Sequence, residues 1–580
     1  MKKFFKNLFK IKSDNVINFV KESIWICRYS LRYKWEVLWF MVLGFLGTVI
    51  SLAGGILSKR IVDVVTHFES GGLVVALVFF AAMQLVKIAI GAFSGRVNAK
   101  INIRVNQQMT AEVYDKLINS DWQSLSFYHS GDLIARVMGD VSTVSASVLG
   151  WIPSLITRLL QFGGTLAVIL YYDSTLALLA LLSAPVTILM SRFLVRKMRD
   201  HSEKMRKLSS EMMIFNEESF QNIQLIKGFD LSEQYSEKHK ALQDKYKNVA
   251  LQYNQFSIYK NTIMSLVGTV VAIICFVWSI YRLHLGFITY GTMTLFLQLS
   301  TNLSDSFSSL TSMIPSAINA TTAAGRIITI MSLPDEKRDD KQSAEDFIKK
   351  NSAADITLKA ENLSYTYEDG REVLKNVSFT ADAGKVVAFV GPSGEGKTTI
   401  LKLMLGIIHP TSGSLKVESG CGESIDITAC TRGLFSYVPQ GNTLFSGTIA
   451  ENLRLVKSDA TDSEINEALK IACADEFVKK LPLGINSVIK EQGGGFSQGQ
   501  LQRICIARAL LTNATIILMD EATSALDIKT EEKVLKNIMS AKRNRTCIVT
   551  THRLSVLDIS DRIYNVSHDN VEMLKISKEI

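Results

Sequence analysis

The chain has 580 residues, 47% of them hydrophobic and 21% charged, with a net charge of +9 and a mean hydropathy of +0.18. That length exceeds one domain, and apolar bulk combined with a full share of charge implies an apolar half joined to a water-soluble half. Seven cysteines are scattered, odd in number and without a C-x-x-C, so a disulfide framework and a cysteine metal site are both unsupported. Five of them lie beyond residue 420, which suits a reducing cytoplasm.

Residues 1–34 hold nine Lys or Arg against two acids. This explains the net charge and, by the positive-inside rule, places the N-terminus in the cytoplasm. Phe4, Phe5, Leu8 and Phe9 beside those lysines fit an interfacial helix on the inner leaflet; a nucleic-acid-binding arm is the alternative. No short apolar core with a small-residue cleavage site follows, so no signal peptide is expected.

Six apolar runs suited to crossing a bilayer come next: Val37–Ser58, Leu73–Phe93, Val148–Tyr172, Leu176–Val195, Ile263–Tyr281 and Thr292–Pro315. Six crossings leave both termini on one side. Spans three and four are parted only by a short turn at Asp173-Ser174, and five and six by a short segment around Leu283–Tyr290. About 50 to 65 residues separate two from three and four from five. These long stretches carry helical periodicity and mixed charge, as in Asn98–Leu117 and Ser202–Tyr246, so the helices are expected to run far beyond the bilayer and return.

The sixth span carries Gln298, Asn302, Asp305, Ser309, Ser312, Ser316 and Asn319 at alternating steps of four and three, which is one helical face. Leu299, Leu303, Phe307, Leu310 and Ile314 form a neighbouring apolar stripe. Polar groups facing lipid are costly, so that face lines a cavity or packs against helices. Small-residue packing accounts for the serines but poorly for Gln298 and Asp305. Arg158 in the third span is a candidate partner for Asp305. An unpaired acid favours cationic or amphipathic cargo; neutralisation by Arg158 removes that preference.

Leu333–Lys350 is charged and proline-marked, as a linker would be. From Ile356 short strands and helices alternate in the manner of an α/β domain. Val386–Val390 reads as a buried strand, and Gly391, Pro392, Ser393, Gly394, Glu395, Gly396, Lys397 and Thr398 follow it in the pattern G-x-x-x-x-G-K-[ST]. Thr399 and the residues after it continue as a helix. In such a loop backbone N–H groups cradle phosphates, the lysine reaches the β/γ-oxygens and the threonine hydroxyl goes to Mg²⁺. Ile516–Met519 is an apolar strand ending in Asp520 and Glu521. Asp520 suits a water-mediated Mg²⁺ ligand and Glu521 a general base. Gln440, at a strand-exit turn, can reach the metal, and His552, after a second apolar strand, can reach the γ-phosphate.

Together these motifs resemble the ATP-binding cassette (ABC) transporters, specifically exporter half-transporters with the membrane domain first. The resemblance covers nearly the whole chain from about residue 15. It implies a multi-domain membrane protein: a six-helix all-α transmembrane domain with long cytoplasmic helical extensions, then an α/β P-loop ATPase domain. The implied boundaries are 1–35 for the cytoplasmic N-terminus and elbow helix, 36–331 for the membrane domain, 332–355 for the linker and 356–580 for the cassette. By the same likeness Tyr367 stacks on adenine, Gln440 is the Q-loop, Phe496–Gln500 the signature, Ser524–Asp527 the D-loop and His552 the switch. Ser497, Gly499 and Gln500 would complete the site of an opposite subunit at a helix N-terminus. Segments Phe127–Arg136 and Leu225–Asp230 resemble the two coupling segments, and Gly325–Ile327 the end of the sixth helix.

The signature reads FSQGQ where the family has LSGGQ, so Gln498 stands for a glycine and Phe496 for a leucine. The chain also stops soon after Ile563 without the usual glycine- and histidine-containing tail, so an added regulatory domain is not expected. Intact Lys397, Glu521 and His552 favour a homodimer with two competent sites. The resemblance therefore implies ATP-driven export of an amphipathic peptide, drug or lipid-like substrate from the cytoplasm across the cell membrane, with ATP and Mg²⁺ as cofactors and no nucleic-acid partner. A lipid or lipid-linked-glycan flippase is the alternative within the class; an ATP-gated channel or regulatory membrane subunit is the alternative outside it. The fused order disfavours an importer, six spans exclude a soluble repair-type ATPase, and about 35 residues before the first span leave no room for a peptidase domain.

Overall fold

The computed structural model describes residues 13–66, 72–175, 177–178, 201, 204–205, 207–351, 355–367, 369–392, 394–441, 443–490, 493–541, 545–567 and 570–574. The interfacial residues Phe4–Phe9, the loop residue Ser393 and most of the fourth apolar run, Leu176–Val195, lie outside the described residues. Two compact units form: Met1–Asp115 with Ser130–Ser332, and Lys116–His129 with Leu333–Ile580.

The first unit is helical. It contains α1 (Ser13–Ser30), α2 (Lys34–Thr66), α3 (Leu73–Asn119), α4 (Ser130–Ala135), α5 (Val141–Leu149), α6 (Trp151–Tyr172), α7 (Ile223–Gly228), α8 (Ser232–His284) and α9 (Tyr290–Met331). Helices α3, α8 and α9 have 47, 53 and 42 residues. At 1.5 Å per residue they reach about 60–80 Å, at least twice a bilayer core of about 30 Å, as the long mixed-charge stretches predicted. Among the described residues, four segments are long and apolar enough to cross a membrane: Asn18–Thr66, Leu73–Asn119, Ser130–Tyr172 and Ser232–His284. Helix α9 is not among them, because its row of Gln298, Asn302, Asp305 and Ser309 dilutes the apolar stripe.

The turn Leu31–Tyr33 that follows α1 is tied to α3 by Arg32, which donates to both oxygens of Glu112 at 2.6 and 2.9 Å. Between α4 and α5 lies one π-helical stretch, Arg136–Asp140. There Arg136 donates to Asp132 (2.8 Å) and to the Arg326 carbonyl (3.0 Å), while the Arg326 guanidinium bridges Asp132 and Asp140. The first coupling-like segment is thereby fastened to the C-terminal end of α9. A π turn inside a helix is a recurrent mark of a functional position.

The second unit is an α/β domain. Its main sheet has the order β12-β11-β3-β10-β9-β6, built from β3 (Val386–Val390), β6 (Phe435–Val438), β9 (Ile516–Asp520), β10 (Thr546–Thr551), β11 (Arg562–Ser567) and β12 (Asn570–Leu574). All pairs are parallel except β11–β12. A four-stranded antiparallel sheet, β2-β1-β4-β5, is formed by Glu372–Ala381, Ile356–Thr366, Ser412–Ser419 and Ser424–Asp426, and a short antiparallel pair by β7 (Gly447–Thr448) and β8 (Val488–Ile489). Strand β3 alternates faces with period two. Val387 and Phe389 enter the core shared with the antiparallel sheet, where Phe389 meets Phe379 edge-on at 5.1 Å. Val386 and Ala388 enter the core beneath the helices on the other face. Burial on both faces explains the unbroken apolar run.

Two segments join this unit in ways the composition does not announce. Within the expected linker, Lys341–Lys350 forms helix α10, and its Ala344 and Phe347, three residues apart, are buried. The end of α3 pairs with the stretch after α9: Asp121 N–H donates to Pro334 O at 3.0 Å and Glu336 N–H to Asn119 O at 2.9 Å, beside a Lys116–Asp335 ion pair.

Candidate functional site

The phosphate loop leaves β3 and enters helix α11 (Lys397–Met404). Its backbone demands glycine. Gly391 has φ 146°, and a Cβ there would lie 2.1 Å from the Val566 carbonyl oxygen; Gly396, at φ 98°, would meet Val373 at 2.8 Å. With α11 starting at Gly396, free N–H groups and the positive helix end face the loop, a ready anion cradle. Lys397 is buried and donates to the carbonyls of Gly391 and Pro392 at 2.8 and 2.6 Å, so its ammonium is held at the loop mouth. Glu395 is half-buried, and Pro392 and Gly394 are exposed.

The two acids stand where β9 ends beside β10, with Asp520 opposite Thr550. Asp520 is buried and accepts from three hydroxyls: Thr398 at 3.2 Å, Thr550 at 2.7 Å and Tyr437 at 3.5 Å. Burial pushes the Tyr437 phenol far up, and the Asp520 charge adds to that, so the phenol stays a donor. Glu521 takes the left-handed conformation, φ 47°. Its N–H is held by the Thr550 carbonyl and hydroxyl oxygens, at 3.2 and 3.1 Å. Its carboxylate accepts from Gln440 Nε2 at 2.7 Å and lies 3.9 Å from His552 Nδ1. Thr398 and Asp520 offer hard oxygen donors side by side, a set that fits Mg²⁺. Tyr367 touches this region through its hydroxyl, 3.2 Å from Thr399 Oγ1, and the Arg371 guanidinium covers one ring face at 5.3 Å.

The signature opens helix α12 (Gln498–Leu510). Ser497 caps it in a reciprocal box: its hydroxyl accepts from Gln500 N–H at 3.3 Å, and Gln500 Oε1 accepts from Ser497 N–H at 2.9 Å. Gly499 lies so close to the D-loop that a Cβ would come within 2.9 Å of the Ala525 carbonyl oxygen. Gln498 is exposed, in ordinary helical backbone, and its side chain makes no hydrogen bond among the described residues.

Sequence reasoning missed Thr550, Tyr437, Gln502 and Arg553. Gln502, buried in α12, donates to the Ser524 hydroxyl (3.1 Å) and accepts from Ala525 N–H (3.0 Å). Arg553, next to His552, donates to the carbonyls of Leu526 (2.6 Å) and Ser524. The D-loop is thus clamped between the signature helix and the switch segment. The signal available in the sequence was a pair of threonines ending an apolar strand and a glutamine inside an apolar helix.

In the membrane unit α9 turns its apolar stripe inward, with Leu299 and Leu303 buried, and leaves Gln298 and Asp305 exposed. Asn302 and Ser309 are half-buried. Arg158 donates to Gln161 on its own helix at 2.9 Å and does not pair with Asp305.

The family description "ABC transporter transmembrane region" matches residues 37–307, and "ABC transporter" matches residues 374–524. A Lactococcus lactis multidrug resistance ABC transporter ATP-binding and permease protein is 26% identical, across 93% of this chain and 90% of that protein. The ATP-dependent lipid A-core flippase of Syntrophus aciditrophicus is 29% identical, across 79% of this chain and 76% of that protein. A solved bacterial Atm1-family ABC exporter with ATP bound shares the fold, with a TM-score of 0.79 at 21% identity over 93% of this chain and 94% of that one. A membrane region fused ahead of an ATPase, with this fold and these relatives, places the chain among the ABC transporters, as an exporter-type half-transporter that hydrolyses ATP in support of transport.

Proposed function

We propose that two identical copies form the transporter, with ATP hydrolysed at two composite sites and an amphipathic substrate moved out of the cytoplasm by alternating access. The observation carrying this reading is the environment of Glu521, held by Thr550, contacted by Gln440 and approached by His552 beside the phosphate loop. In that setting Glu521 accepts a proton from the attacking water, and His552 supports the γ-phosphate side. Lys397 and the loop N–H groups of residues 391–399 hold the β/γ-phosphates, and Tyr367 offers its uncovered face to adenine. Mg²⁺, when bound by Thr398, Asp520 and Gln440, neutralises charge on the β/γ-oxygens.

Ser497, Gly499 and Gln500 supply the partner's half-site, and each chain contributes one of each half. Closure of the paired sites drives the coupling segments through the Asp132–Arg136–Asp140–Arg326 cluster, and hydrolysis reverses it; the two states are selected by differential contact with nucleotide. Gln298, Asn302, Asp305, Ser309 and Arg158 line the path. Both termini lie in the cytoplasm, with the chain in the cell membrane and its domains divided at 36–331 and 356–580. A lipid flippase uses the same parts, and the 29% identity to a lipid A-core flippase favours keeping it as the second reading.

Glu521→Gln tests the assignment: ATP binding persists while turnover drops by about 10²–10⁴-fold, the range of a lost general base. Hydrolysis near the wild-type rate in that variant refutes the role.

A further inference from the structure

Within the six apolar runs the charged side chains are Lys87, Arg158, Arg192 and Asp305. Lys87 is the single charged residue of the second apolar run, in α3, and contacts between helices fix its depth. Its ammonium donates to Ser51 Oγ on α2 at 3.2 Å. One turn on, a Cβ on Gly55 would come 3.3 Å from Gln298 Oε1. The face of α2 carrying Ser51 and Gly55 therefore links Lys87 to the polar row of α9, in which Asp305 lies two turns inward of Gln298. Helix α6 runs beside α2 in step: Tyr172 beneath the Lys59 ammonium, Gly164 against Leu52 and Thr157 against Gly44. Arg158 then falls opposite residue 45, Asp305 opposite residue 48 and Lys87 opposite residue 51. At 1.5 Å per residue the three occupy about 9 Å of depth, at the middle of the first apolar run, Val37–Ser58.

Charges at mid-membrane turn away from lipid and mark a path. Lys87 does not snorkel outward; it is engaged with Ser51. Neither Lys87 nor Arg158 meets a carboxylate among the described residues, and the run at 176–195 has no acid in its sequence. Among the described residues the layer therefore carries two cations against one acid per chain.

We propose that the cargo is an amphiphile with an anionic headgroup, a phosphate or a carboxylate, and that Lys87 and Arg158 receive it at mid-membrane; this deepens, and rests on, the exporter reading. The preference for cationic cargo drawn from Asp305 alone is thereby reversed. The test uses the full chain in phosphatidylcholine nanodiscs with four probes of equal chain length: an alkyl phosphate, a fatty carboxylate, an alkyl trimethylammonium and an alkyl glucoside. The concentration giving half-maximal stimulation of ATP hydrolysis is measured for each. At least one anionic probe should act at about one-tenth the concentration of the cation, the scale of one charge-assisted contact, and the better of the two names the headgroup. Lys87→Arg should keep this order and Lys87→Glu should invert it, a gain that misfolding cannot mimic. A wild-type protein that responds best to the cation or the glucoside overturns the proposal, as does an unchanged order in Lys87→Glu or silence to all four probes. Wild-type hydrolysis no higher than that of Glu521→Gln overturns the exporter reading instead.

Discussion

Left-handed backbone at a residue with a side chain costs about 1–3 kcal/mol and persists only where neighbours enforce it. Glu521 holds φ 47° because Thr550 accepts its N–H twice, and the same threonine donates to Asp520. One hydroxyl thus orients both acids. Thr550→Val keeps the shape and removes the hydroxyl, so it should destabilise the unit by about 1–3 kcal/mol. It should also lower turnover about tenfold or more through misplacement of Glu521, with Thr550→Ser restoring most of it. Thermal unfolding and steady-state hydrolysis check the two halves. At this scale the phosphate loop was fully legible, because Gly391 and Gly396 are dictated by backbone contacts that recur as a spacing. Thr550 and Tyr437 were not, since two adjacent threonines at a strand end and a single tyrosine within a strand have no spacing that marks a site.

Helix α12 links three parts of the site: Ser497 and Gly499 at its start, Gln502 inside, and the D-loop against which it packs. Gln502→Leu would leave the Ala525 N–H without its acceptor, at a cost of about 1–3 kcal/mol. ATP binding should survive while turnover falls; equal loss of both would show that Gln502 only supports the fold. In the membrane unit, Arg326→Ala should lower stability by about 1–2 kcal/mol, because its partners Asp132 and Asp140 are half-buried rather than fully desolvated. A lower unfolding temperature in detergent is the readout. Helix periods were readable for α9 and for the long charged extensions of α3 and α8. Helix α10 was hidden in charge, since only Ala344 and Phe347 betray its buried side. The pairing of Asp121 with Pro334 joins residues more than 200 apart, beyond any local pattern.

For the whole molecule the composite-site arrangement makes a distinctive claim: one chain cannot hydrolyse ATP unaided. Lys397→Ala disables the phosphate loop and Ser497→Arg the signature, so each alone should be inactive. Mixed in equal amounts, half of the two-fold pairs combine both chains and keep one intact site of two, giving about a quarter of wild-type activity. No recovery on mixing would contradict shared sites. The order of the domains was legible because apolar runs and the phosphate loop occupy separate halves. The membrane half was only partly so: Asp305 stands on a periodic polar face, whereas Lys87 gains meaning only because Ser51 holds it and Gly55, one turn along the same helix, lies against Gln298.

The most direct measurement is nucleotide-dependent uptake of a labelled anionic amphiphile into sealed vesicles carrying the protein with its ATPase outward. The wild type should accumulate the probe only with hydrolysable ATP, and Glu521→Gln should bind ATP without accumulating it. Equal accumulation by the two proteins, or accumulation without ATP, would contradict ATP-driven export through this site.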